Sequence, residues 1–334
     1  MSKITIIGLG LIGTSIGMAL RKAKVNVEVV GHDRDRGTAN QAQKKGATDR
    51  NEWNLIRAVE GAMIVIIATP VKTIEEVMQQ IAPVLQEGCI VTDTGSTKAA
   101  VLQWASDHLP PHVQFVGGHP MAGKEISGPH GAEDTLFHGA KYCILPGKGA
   151  SDRSVQTIIE MAEIIGAVPY FLDPVEHDSY VAAISHLPML LSSVLVKITS
   201  DSPAWPEMAR LASSGYRDIS RLASQDPEMN RDICLTNPDG LSYWIDEFIK
   251  EIYKFRGRIK DGDESLFQTF DDIWVARDRL MQNRVPLPSA DARLSIPSAS
   301  ESMTGMLMGD RAAGKITEMF DWYNRDHDSK GNRR

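Results

Sequence analysis

The sequence predicts an α/β protein, with an N-terminal doubly wound parallel sheet followed by an all-helical C-terminal dimerisation domain. Three observations carry this expectation. Short apolar runs alternate with amphipathic stretches through the first half of the chain. A glycine-rich turn follows the first of those runs. Strand-like patterns stop near Pro174, and the remainder has helical periodicity. With 334 residues the chain exceeds one small core, and it divides into 1–173, 174–285 and an extension, 286–334, of unassigned role.

The elements follow in order. ITIIG (4–8) is the first strand, with a helical pattern behind it to about Lys22. VEVVGHD (27–33) is the second, followed by a polar helix. AMIVIIAT (62–69) leads into a helix over 71–85, and CIVTD (89–93) into one starting near Lys98. VQFVG, KYCILP (141–146) and VPYFL (168–172) are further strands. DPVEHDSYVAAISHLPMLLSSVLVKIT reads as one long helix kinked at Pro188, because proline removes a backbone donor and crowds the preceding turn. PEMARLASSGYRDISRLA, LSYWIDEFIKEIYKFRGRI and 264–283 are further helices. Such long apolar helices in a small domain call for a second copy to bury them, so a homodimer is expected. The extension is rich in Ser, Pro and Gly, with one candidate helix near 311–323.

Composition narrows the partners. A net charge of -7 gives no basic footprint for nucleic acid. Cys89, Cys143 and Cys234 are too scattered for a disulfide framework or a metal cluster, and read as buried thiols in a reducing compartment. The first apolar stretch behaves as a strand rather than a secretory signal, and residues 62–68 are far short of a membrane span. The expected location is cytoplasmic, with no membrane partner.

Gly8, Gly10 and Gly13 form GxGxxG at the end of a strand, with Leu11 and Ile12 opening a helix. This is the context of a Rossmann-type dinucleotide site, where free amides and the helix dipole receive a pyrophosphate. Asp33 ends the next strand, where a carboxylate can hold a ribose 2′-hydroxyl and repel a 2′-phosphate, favouring NAD. Arg34 beside it could tolerate that phosphate, so NADP remains the alternative. Thr69 and Pro70 fall at the carboxyl edge of the sheet, where ligands of such folds bind.

Two further turns reach the same edge. Ser96 lies in DTGSTK (93–98) and could simply cap the next helix. His119 lies in GGHPMAG, after the next strand. Together GLGLIG, TDTGSTK, GGHPMAGKEISG, HDSYVAAISHLP and GYRDISRLASQDPEM, in that order over residues 1–285, resemble the prephenate/arogenate dehydrogenase (TyrA) family.

The resemblance implies NAD-dependent oxidative decarboxylation of prephenate to 4-hydroxyphenylpyruvate, or of arogenate to tyrosine, in tyrosine biosynthesis. It implies that His119 polarises the ring hydroxyl and that Ser96 completes the hydrogen bonding to it. On this reading the glycines beside His119 give the substrate room, and Pro120 fixes the turn that aims the imidazole. Arg221 matches the arginine that binds a substrate carboxylate, a task suited to a planar guanidinium. Arg217 would share its helical face, or pair with Asp218 or solvent. His186 matches a second histidine near the substrate, or is a satisfied core residue. Glu125 matches an acid at the site entrance, or is a solvated loop charge. Asn230 stands where many members carry an aromatic residue. Glu176 occupies a position where an acid accompanies arogenate use, although an acid at a helix start is also stabilised by the dipole. A β-hydroxyacid dehydrogenase or a non-catalytic NAD-sensing module would explain the glycine turn but not GGHPMAG.

Overall fold

The computed structural model describes residues 2–285; the extension with its candidate helix near 311–323 lies outside the described residues. The strands are β1 (Ser2–Ile7), β2 (Val27–His32), β3 (Arg50–Asn51), β4 (Ile64–Ile67), β5 (Ile90–Asp93), β6 (Gln114–Pro120), β7 (Lys141–Pro146) and β8 (Val168–Phe171). They form one eight-stranded sheet in the order β3-β2-β1-β4-β5-β6-β7-β8. The chain moves outward from β1 to β3 and then returns to the other side of β1, so a switch point lies between β1 and β4.

The helices of this half are α1 (Leu11–Lys22), α2 (Arg36–Lys44), α3 (Leu55–Val59), α4 (Val71–Ile81), α5 (Ala99–His108) and α6 (Asp152–Ile164). They cover both faces of the sheet. Ile4, Ile6, Ile64 and Ile66 belong to one apolar cluster, while Ile7, Val65, Ile67 and Val91 belong to another. That alternation is the period-two signature of strands buried on both sides.

One pairing departs from the expected parallel sheet: β7 runs antiparallel to β6, with His119 opposite Cys143. No crossover α-helix separates these two strands, only a loop with a short 3₁₀ turn at Pro129–Gly131, and an antiparallel return needs none. Strand β3 and helix α6 were not legible from periodicity. Ser151 caps α6 by accepting from Ser154 N, a local signal that the apolar pattern does not carry. Of the three cysteines, Cys89 and Cys143 are buried, whereas Cys234 is only partly so. Burial pushes the Cys89 and Cys143 thiols up to about 11.

From Pro174 to the end of the described residues every regular element is helical. The helices are α7 (Pro174–Val181), α8 (Leu187–Ser200), α9 (Trp205–Leu211), α10 (Ser214–Ser220), α11 (Pro227–Thr236), α12 (Pro238–Lys260) and α13 (Leu266–Met281). A 3₁₀ turn, Arg221–Ser224, follows α10. Between α7 and α8, just before Pro188, lies a π-helical turn, Ala182–His186, that the sequence reading did not foresee. A widened turn just before the proline accommodates its missing donor without breaking the helix. His186 is thereby turned inward, 1% exposed, while Ile184 faces out at 70%.

The continuous run Pro174–Ser200 is long and apolar enough to cross a membrane by length and composition alone, a segment that a sequence reading drawn to residues 62–68 does not weigh. Its inward face nevertheless carries buried His177, Asp178, His186 and Ser192. Ile184, Val194 and Ile198 on its outer face are exposed, as are Ile252, Tyr253, Phe267 and Trp274 on α12 and α13. No residue of α13 is buried. An apolar exposure of this kind marks an interaction face.

Candidate active site

The glycine turn after β1 is shaped by close approach. Gly8 has φ +90°, and a Cβ there would meet Ala68 O at 2.6 Å. A Cβ on Gly13 would lie 2.0 Å from Gly8 O, so only glycine lets α1 pack on the turn. Gly10 faces open space and N-caps α1 with no side-chain hydrogen bond; no acid lies in the first turn, which Leu11 and Ile12 open. The unpaired amides and dipole of α1 are therefore available to an anion.

Asp33 follows β2 and accepts from Leu9 N at 2.8 Å through one oxygen and from Asp35 N at 2.9 Å through the other. It ties the glycine turn to the end of β2, and each oxygen keeps a lone pair for a ribose hydroxyl. Arg34 is exposed and lies 3.8 Å from Glu228 of α11. Thr69 follows β4 with a buried hydroxyl that has no hydrogen-bond partner, and Pro70 N-caps α4. These residues fit a bound dinucleotide.

His119 sits inside β6 rather than in a turn after it, and is 8% exposed. Its neighbouring glycines serve the protein's own packing rather than making room for substrate. A Cβ on Gly118 would lie 2.6 Å from both Asp93 O and the Tyr142 hydroxyl, and one on Gly117 would press on Leu102 and Leu145. Pro120 is the last residue of the strand, opposite Tyr142, so no turn at Pro120 aims the imidazole.

His119 Nδ1 lies 2.8 Å from His177 Nε2, and His177 Nδ1 lies 2.8 Å from Asp178 Oδ1. Asp178 also accepts from Lys98 N at 2.7 Å and Ala99 N at 2.9 Å. A carboxylate from α7 thus fills the start of α5. The fully buried Lys98 ammonium pairs with Asp93 and donates to Gly118 O at 2.8 Å, holding β5 against β6.

Burial, followed by His177, Lys98 and His186, pushes the His119 imidazole well below its ordinary range. Burial also lowers His177, with Asp178 opposing it, and brings His186 down to about 4. All three rings are held neutral near pH 7.

His186 lies against the Ser96 backbone, and its Nε2 makes no hydrogen bond. Its Nδ1 is 3.5 Å from the Asn237 amide, which donates to Asp178 O at 2.7 Å. Ser96 is half-buried in the β5–α5 turn, and α5 has no side-chain cap from its own N-cap residue, Lys98. Ser96 is therefore not the helix cap.

Arg221, in the 3₁₀ turn, forms an ion pair with Glu125 in the loop after β6, so the structure joins two of the expected substrate groups. Arg217 is exposed on the last turn of α10. Glu176 is half-buried in the first turn of α7, with the Tyr180 hydroxyl 3.5 Å away. Neither Arg217 nor Glu176 shares a hydrogen bond with the histidine chain among the described residues. The Asn230 side-chain oxygen is buried and unpartnered.

Sequence reasoning missed His177, Asp178, Lys98 and Asp232. The first three sit inside motifs already singled out, HDSYVAAISHLP and TDTGSTK, and that membership was the available signal. Fully buried Asp232 of α11 faces the start of α4, 3.4 Å from Lys72 N, and Thr236 meets Thr97 at 2.9 Å.

Comparison with known proteins agrees with this geometry. Residues 16–171 match the family description "Prephenate dehydrogenase, nucleotide-binding domain", and residues 173–272 match "Prephenate dehydrogenase, dimerization domain". The chain is 38% identical over 280 residues to the prephenate dehydrogenase of Bacillus subtilis, covering 83% of this chain and 76% of that one. It is 31% identical to the cyclohexadienyl dehydrogenase of Zymomonas mobilis, covering 82% and 94% respectively. The crystal structure of prephenate dehydrogenase from A. aeolicus in complex with hydroxyphenyl propionate and NAD+ superimposes with a TM-score of 0.78 at 27% identity, covering 84% of this chain and 98% of that one.

The fold and site are those of an NAD-dependent dehydrogenase that joins a nucleotide-binding sheet to a helical dimerisation domain. The chain belongs to the prephenate dehydrogenase family. Its reaction is the NAD-dependent oxidative decarboxylation of prephenate or arogenate in tyrosine biosynthesis.

Proposed function

We propose that His119 is the residue that handles the ring hydroxyl of the substrate, with Ser96 as the hydroxyl's second partner. The observation that carries this reading is an imidazole buried at the carboxyl edge of the sheet, in a strand next to the one that carries the Ser96 turn, where burial holds it below its ordinary range. A neutral ring can accept a proton that an imidazolium cannot. Bound along the glycine turn, NAD+ supplies the hydride acceptor. Loss of the ring carboxylate as CO2 makes the ring aromatic, so the protein's task is to orient the ring and hold one proton. Gly8, Gly10, Leu11, Ile12, Gly13, Asp33, Thr69 and Pro70 hold the dinucleotide, with Arg34 at its rim.

Arg221 binds a substrate carboxylate by exchanging Glu125 for it, and His186 offers its unpartnered Nε2 to the substrate. Arg217 contributes positive charge near Arg221. Glu176, at the start of the helix that carries His177, favours the ammonium of arogenate over the ketone of prephenate. The working division is residues 1–173 for the cofactor and 174–285 for substrate and dimerisation. The enzyme is a cytoplasmic homodimer in which the outer apolar faces of α8, α12 and α13 meet a second copy; light scattering at the mass of one chain would refute this.

The function is tested by following NADH at 340 nm with NAD+, offering prephenate and arogenate separately. Turnover of arogenate that Glu176→Gln selectively weakens supports the specificity role, and equal effects on both substrates remove it. Silence with both substrates, in protein that binds NAD+, would contradict the reaction itself.

A further inference from the structure

The direction of the hydrogen bonds between His119 and Asp178 follows from chemistry alone. Both Asp178 oxygens accept backbone N–H groups, from Lys98 and Ala99, so the carboxylate acts as an acceptor throughout. His177 Nδ1 must then be the nitrogen that donates to Asp178 Oδ1. A neutral His177 carries its single proton there, which leaves Nε2 with a lone pair. His119 Nδ1, 2.8 Å away, has to donate to that lone pair. Its own proton is thereby committed, and Nε2 of His119 is the unprotonated nitrogen.

We infer that His177 and Asp178 are positioning residues that lock His119 in the Nδ1–H tautomer and so make Nε2 a proton acceptor. The inference rests on the reading of His119 as the hydroxyl's partner and deepens it. As the ring carbon gives up its hydride, the O–H bond breaks; its proton passes to His119 Nε2 and its electron pair closes a C=O bond. When the carbon–carboxylate bond then breaks, that pair moves through the ring to the oxygen, which takes the proton back from Nε2. No net proton is released, and His119 returns to its starting state. During the step the imidazolium is held by His177 Nε2, itself anchored on Asp178.

The surroundings make this arrangement necessary. His119 faces His177 from α7, Lys98 from the β5–α5 segment and His186 from the π turn, while Asp178 is bound to His177 and Asp93 to Lys98. The Lys98 ammonium and the two other imidazoles all disfavour a positive His119, and Asp93 is already engaged with Lys98. A buried ring without an acceptor at Nδ1 would leave that N–H unpaired, which favours the Nε2–H tautomer that cannot accept the substrate's proton, and would leave the imidazolium of the step without its partner. The rule that the second nitrogen's partner sets the tautomer is general for histidine.

The test is ¹⁵N-histidine NMR of the full-length enzyme, with His119 assigned by the signals lost in His119→Asn, joined to steady-state kinetics. We expect a protonated Nδ1 and an unprotonated Nε2 in the wild type. His177→Gln keeps a carbonyl acceptor and should stay near wild-type turnover. His177→Phe should lose about 10²–10⁴-fold in kcat, the usual worth of a proton-transfer group, with the KM of both substrates little changed. A proton on His119 Nε2 in the wild type, or equal kcat in the Gln and Phe variants, overturns the inference. Should His177→Phe fail to fold, the wild-type spectrum decides alone. Wild-type turnover in His119→Asn would instead remove the underlying role of His119, which is a distinguishable failure.

Discussion

The starts of α1 and α5 lie on the carboxyl edge of the same sheet, and the protein treats them in opposite ways. At α1 the N-cap is Gly10, with open space above it, no side-chain cap and no acid in the first turn. At α5 the amides of Lys98 and Ala99 are taken by Asp178, a buried carboxylate delivered from α7. Asp232 of α11 faces the start of α4 in the same manner. Every helix start presents unpaired donors and a positive dipole end. Where the helical domain supplies the anion, that electrostatic property docks one domain on the other; where it supplies none, the helix start stays open to an anion such as a pyrophosphate. The same docking carboxylate ends the histidine chain, so with His119 in its proposed role the contact that fixes the domains would also aim the chemistry.

The contrast can be attacked from both sides. The largest effect is expected for His119→Asn, which leaves both helix starts intact: kcat should fall about 10²–10⁴-fold while NAD+ affinity, read by fluorescence titration, is unchanged. A parallel loss of NAD+ binding would mean that the two sites are not separable. Asp178→Ala empties the α5 start and should cost about 1–3 kcal/mol in urea unfolding, because buried amides lose a charged acceptor. Stability equal to wild type would show that the docking contact is idle. Arg221→Ala should raise the substrate KM about 10- to 100-fold, the worth of a charged hydrogen bond, with kcat less affected. A fall in kcat at constant KM would move Arg221 into the chemical step.

Acid should act on the docking face as well. His119, His177 and His186 all titrate below an unfolded histidine, whose value is 6.5. Well above pH 6.5 none binds a proton in either state, so stability there is independent of them. As pH falls below 6.5 the unfolded chain takes up protons that the folded one refuses. Stability should then decline, on the order of 1 kcal/mol per pH unit for each histidine, down to the folded value, about 4 for His186. Unfolding free energies that stay flat between pH 6.5 and 4.5 would contradict the neutral assignment.

Much of the architecture could be read from the chain, because strand and helix periods write themselves into local sequence. ITIIG, VEVVGHD, AMIVIIAT and CIVTD are all strands of the sheet, and GLGLIG opens the first helix. The antiparallel return of β7 could not be read, since apolar alternation has no direction. The π turn at Ala182–His186 was hidden behind Pro188, which advertises a kink and says nothing of a widened turn upstream. The role of Gly118 was misread because the atoms it makes room for, Asp93 O and the Tyr142 hydroxyl, belong to other strands. The His119–His177–Asp178 chain depends on contacts made 58 residues apart, and Asp178 fills a helix start 80 residues upstream. Such partnerships exist only after folding.

The measurement that tests the central contrast most directly is NAD+ titration of Gly10→Asp beside its thermal unfolding. A Cβ at Gly10 meets nothing within 4 Å and its φ is -69°, so the substitution introduces an anion without a clash. An acidic N-cap should hold or raise stability, by up to about 1 kcal/mol. The same carboxylate should weaken NAD+ several-fold to about tenfold by occupying the amides that the pyrophosphate needs. Weaker binding in a protein as stable as wild type is the predicted result; unchanged NAD+ affinity would show that the bare start of α1 is not where the cofactor's phosphates bind.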